Sequence, residues 1–169
     1  MRSSSPYNAI EASYRWIDYW QAYAEVLQRH EDPQTCLCEL FAFRVWLSQS
    51  ALHYFGGGGA AAGTGAHPAA TPWPPPWLLS RQAEEVGLSD LATRRLTAVL
   101  AQRFHCYDRA AAQAREPHDP PGVEAAAVAL AGMLFAQPEH AIVACLTRRA
   151  QGQYAGIAQA YGAPHRLTR

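Results

Sequence analysis

The chain contains no lysine: all 14 basic residues among its 169 are arginine. That absence excludes ubiquitin attachment at a lysine and any lysine-directed chemistry. It fits GC-rich coding, which favours Arg, Ala, Gly and Pro codons, and it would also suit a viral or secreted effector protein. Long apolar runs are missing as well. The longest, Val123 to Ala136, includes Glu124 and covers 14 residues, short of the roughly 20 that a membrane-spanning helix needs. The opening MRSSSPYN has no apolar segment of the kind a signal peptide carries. Cysteine is scarce, with four residues (Cys36, Cys38, Cys106, Cys145) in helix-patterned stretches. Cys36 and Cys38 fall on different helix faces and should not bridge each other. A reduced, cytoplasmic setting is expected.

Net charge is missing too, since 14 acidic residues balance the 14 arginines. A balanced chain is a poor match for nucleic acid or an anionic membrane, and self-association near neutral pH is expected instead. There is no run of alternating β-branched residues and no hairpin dipeptide, so strands are not expected. No internal repeat is visible.

What remains is helix, interrupted by one unusual segment. Residues 56–76, GGGGAAAGTGAHPAATPWPPP, hold six glycines and five prolines. Glycine loses backbone entropy on ordering and proline removes donors, so this segment predicts a flexible loop, stiffened at its proline end. Eleven of the 18 aromatic residues precede it. The fold class expected is all-α: one domain over 1–169, a compact bundle of five to six helices with the long loop after the second.

The first helix is expected over about Tyr7 to His30. Ile10, Tyr14, Ile17, Ala24 and Leu27 form one stripe, and Trp16, Tyr19, Tyr23 and Val26 a second, with Trp20 between them. Together they cover about two-thirds of the helix circumference. The second helix, about Pro33 to Phe55, is apolar on several faces and should be central. Arg44 falls on its apolar side, where it would either snorkel, pair with a carboxylate of the first helix, or bind an anion. Further helices are expected over Trp77–Val86, from Asp90 (capped by Ser89) to about Arg115, over Val123–Ala136, and from Pro138 onward. Gly152 and Gly156 are places where the last one could bend or split.

No HExxH, CxxC, GxSxG or phosphate-binding glycine loop is present. His105, Cys106, His140 and Cys145 are the residues from which a metal site could be assembled, but their spacing does not require one, and no cofactor is expected. Two partial motifs stand out. In the segment from Arg81 to Leu96, small Ala83, turn Gly87, flanking Val86 and Leu88, and Leu96 fall where a DNA-reading helix-turn-helix would place them. Arg94 and Arg95 would then lie on its second helix. Thr93 and the acidic Glu84, Glu85 and Asp90 depart from that pattern. Near the C-terminus, Gly152, Tyr154, Ile157, Tyr161 and Gly162 form a glycine–aromatic–aliphatic–tyrosine-glycine series. This resembles the last motif of the helical apoptosis regulators related to B-cell lymphoma proteins. The resemblance covers about a fifth of the chain, with tyrosine standing in for tryptophan and the family's Asn-Trp-Gly-Arg signature absent. It implies a groove that binds an amphipathic helix.

The leading expectation is a non-catalytic helical domain whose partner is another protein or a second copy of itself. Aromatic residues and arginine are the usual anchors of such surfaces, which singles out Trp16, Tyr19, Trp20, Tyr23 and Arg44.

Overall fold

The computed structural model describes residues 21–56, 84, 89–114 and 122–160. Among these there are five helices and no strand: α1 (Ala24–Arg29), α2 (Pro33–Gly56), α3 (Asp90–Gln113), α4 (Val123–Leu134) and α5 (His140–Ala160). The all-α expectation holds. The Gly/Pro loop beyond Gly56, the Trp77–Val86 segment apart from Glu84, Trp16, Tyr19, Trp20 and the tail after Ala160 lie outside the described residues.

Helix α2 starts where its local chemistry places it. Pro33 takes the first helical position, where no amide hydrogen is needed. The Asp32 carboxylate accepts from the Gln34 amide at 3.0 Å, the Thr35 amide at 3.2 Å and the Thr35 hydroxyl at 2.6 Å. These bonds hold the Asp32 carboxyl below its ordinary range, the Thr35 hydroxyl contributing most. From Cys36 to Ser48 every residue except Cys38 and Arg44 is buried. A helix apolar all round belongs inside a bundle, and α2 packs against each of the other four described helices. Leu37, Leu40, Phe41, Phe43 and Leu47 are fully enclosed, and each such side chain contributes roughly 1.5–3 kcal/mol of apolar burial.

The other helices wrap this axis. Ser89 caps α3 through a bond from the Ala92 amide to its hydroxyl. Tyr107 of α3 meets Phe43 edge-on at 5.2 Å and Trp46 at 5.5 Å, completing an aromatic triad. Gly122, at φ +77°, turns the chain into α4 directly against Ala111. The alanines of α4 (Ala126, Ala127, Ala131) are buried at its contacts with α2, α3 and α5. The last helix begins at His140, two residues after Pro138. It runs unbroken through Gly152 and Gly156, because Ile142, Leu146, Ala150, Tyr154 and Ile157 anchor it to the core along its whole length.

The first helix departs from expectation. Gln21 and Ala22 are helical, Tyr23 is a turn residue with φ −116° and ψ 19°, and α1 resumes at Ala24. Tyr23, one of the candidate partner-binding residues, is only 4% exposed and belongs to the core with Val26 and Leu27. The interruption falls at the residue whose ring enters the interior.

Candidate interaction groove

Among the described residues, three partly buried polar links and one exposed ion pair tie the helices together. Arg103 of α3 grips the Glu39 carboxylate of α2 through Nε at 2.7 Å and Nη2 at 2.5 Å. Trp46 donates its indole N–H to Asp108 Oδ1 at 2.7 Å. Arg44 Nε donates to Gln153 Oε1 at 2.9 Å, while Gln153 Nε2 donates to Ser48 Oγ at 3.0 Å. Arg29, at the end of α1, pairs with Glu139 just ahead of α5. The first three fix α2 to α3 and α5 from partly buried positions. The last is exposed, and pairs of that kind contribute at most about 1 kcal/mol.

Two free cysteines, buried Cys36 and half-buried Cys38, lie on α2. Burial, reinforced by the Glu39 carboxylate, pushes the Cys36 thiol up to about 12 and Cys38 up to about 11. Both stay protonated at neutral pH, which removes the thiolate a nucleophile needs. His105 and Cys106 sit on α3, and His140 and Cys145 on α5. Exposed His105 meets the Arg109 guanidinium one turn on, at 3.0 Å. Among the described residues, no three His, Cys, Asp or Glu side chains stand together as a metal site would require.

An open groove of about 700 Å³ separates the start of α1 from α5. Gln21, Ala22, Ala24 and Glu25 form one wall. Ala141, Ala144, Cys145, Arg148, Arg149, Gly152 and Gln153 form the other. The α5 residues recur every three or four positions, so they share one helix face. At 1.5 Å per residue that face is about 18 Å long. Its residues are mostly small, and small side chains leave the trough unfilled. Arg148 and Arg149 rise from it, both exposed. The two walls run antiparallel: Arg29 pairs with Glu139, while Tyr23 lies beside Cys145 and Arg149. Burial pushes the Tyr23 phenol above its ordinary range, and the nearby Arg44 guanidinium offsets this in part.

Of the residues singled out from sequence, Arg44 lies behind this groove. It holds Gln153, one of the wall residues, and does not itself line the trough. Arg94 and Arg95 are exposed on the first turns of α3, while the turn glycine that would complete a helix-turn-helix lies outside the described residues. Within the apoptosis-regulator-like series, Tyr154 and Ile157 are core residues and Gly152 opens onto the groove. Sequence reasoning passed over Arg148 and Arg149. The readable signal was an arginine pair flanked at helical spacing by Ala141, Ala144 and Gly152, on a helix whose opposite face is apolar.

Comparison with known protein families, curated proteins and solved structures finds no match for this chain. Among the described residues no helix is long and apolar enough to cross a membrane.

Proposed function

We propose that this chain is a non-catalytic helical interaction domain that receives a partner segment in the groove between α1 and α5. The observation that carries this reading is the trough itself: an α5 face about 18 Å long on which Ala141, Ala144, Cys145 and Gly152 leave space, with two exposed arginines along it. A surface of that shape accepts a helix, because small side chains let a second backbone approach closely. The partly buried polar groups support the same view. Glu39, Arg103, Trp46, Asp108, Arg44 and Gln153 are joined helix to helix, an arrangement that stiffens a scaffold. The aromatic anchor expected at Tyr23 serves the scaffold too.

Gly152 supplies the test. A Cβ added there meets nothing within 4 Å among the described residues, so Gly152→Leu should keep the fold while its side chain fills the trough. Wild type and variant should melt alike or with the variant slightly higher, since leucine is the better helix former. A displayed library of amphipathic helices should then yield binders to wild type that Gly152→Leu does not retain. Binders retained equally by both proteins would place the interaction elsewhere.

A further inference from the structure

Resting on that reading, we infer that the groove takes an acidic amphipathic helix from another protein, with Arg148 and Arg149 contacting its carboxylates. Charge distribution supports this choice of occupant. The chain as a whole is neutral, yet α5 carries Arg148 and Arg149 and no Asp or Glu between His140 and Ala160. Among the described residues the facing wall contributes one carboxylate, Glu25. The arginine–glutamate pair beyond the α1 end, Arg29 with Glu139, is internally neutral. The groove is therefore locally cationic on an otherwise balanced protein, and its arginines are exposed rather than consumed in the core.

Geometry narrows the partner further. Arg148 and Arg149 sit midway along the α5 face, with Ala141 and Ala144 on one side and Gly152 on the other. A helix of about 12 residues matches the trough length. Its small or aliphatic ridge would lie over the alanines, and a central acidic residue would reach the guanidiniums. Arginine favours this role because its planar fork donates two parallel hydrogen bonds to a carboxylate. Glu25, on the opposite lip, would repel a second carboxylate placed off-centre and so sets the register of the incoming helix. A second copy of this chain fits less well, since α4, a strongly apolar helix among the described residues, already packs against α2, α3 and α5.

The experiment uses the full chain and a displayed library of 16-residue amphipathic helices with all charges allowed on the polar positions. Selection on wild type should enrich Asp or Glu at one central register. Resynthesised as free peptides, the selected helices should lose at least 10-fold in affinity when that residue becomes Gln or Asn. Arg148→Glu with Arg149→Glu should cost at least as much, and Glu25→Gln should tighten binding about 3-fold. Enriched helices that need an open Gly152 but show no acidic preference would overturn the acidic partner while leaving the interaction reading intact. No enrichment beyond that on Gly152→Leu would overturn both. Sedimentation showing wild-type dimers that Gly152→Leu dissociates would reassign the groove to a second copy and overturn the inference.

Discussion

A methyl group added at Gly122 would meet the Cα and Cβ of Ala111 at 2.5 Å, whereas one added at Gly152 would meet nothing within 4 Å among the described residues. The two glycines mark opposite regions of the molecule. At the α3–α4 corner the backbones touch, φ is +77°, and only glycine fits. On the groove face of α5 the backbone is ordinary helix, and glycine leaves open space. Among the described residues, one region has closed on itself and the other is left open by its own side chains. A domain that had only to be stable would gain from filling the second.

The largest expected effect tests the closed region. Gly122→Ala combines a left-handed backbone with a clash against neighbouring main chain and should cost about 3–5 kcal/mol in urea unfolding. A loss under about 1 kcal/mol would show that the corner relaxes readily. Next comes the partly buried pair of Glu39 and Arg103. Glu39→Gln leaves Arg103 without its counter-charge and should cost about 3 kcal/mol, while Glu39→Met with Arg103→Met should recover most of it. An equal loss in single and double variants would mean that packing, not charge, matters there.

Smaller effects of opposite sign follow. The Tyr107 hydroxyl is buried without a hydrogen-bond partner among the described residues, so Tyr107→Phe should stabilise by about 1 kcal/mol. Gly152→Ala should also stabilise by about 1 kcal/mol through helix propensity alone. Urea midpoints check both, and a destabilised Gly152→Ala would show that the groove is occupied in the free protein. The smallest effect is at Asp32, whose carboxyl is held below its ordinary value of 3.8 by bonds from Thr35 and Gln34. Its contribution is fully present above that value and fades as pH falls toward the depressed folded value. The melting-temperature gap between wild type and Asp32→Ala should therefore stay constant through neutral pH and shrink only in strong acid.

Much of the closed region was legible in the residues. Apolar residues on every face of Pro33–Gly56 announced a central helix, and Ser89 announced the start of α3, because capping and burial are written in short-range chemistry. The burial of Tyr23 was not legible, for an equally plain reason. A broad aromatic surface states that something must cover it, and periodicity does not say whether the cover belongs to the same chain. The groove was invisible for the converse reason. Alanine and glycine on a helix face look like ordinary filler until the spacing to the facing helix is known.

Composition, capping groups and the 3.6-residue period were enough to establish an all-helical protein, a buried central axis and the start of most helices, since each depends on contacts a few residues apart. Whether a given ring faces inward, and whether two walls close or stand apart, depended on residues more than 100 positions away meeting in space. Arg44 with Gln153 and Arg29 with Glu139 are such meetings. No local pattern encodes them, because the free energy that positions them is shared across the whole core.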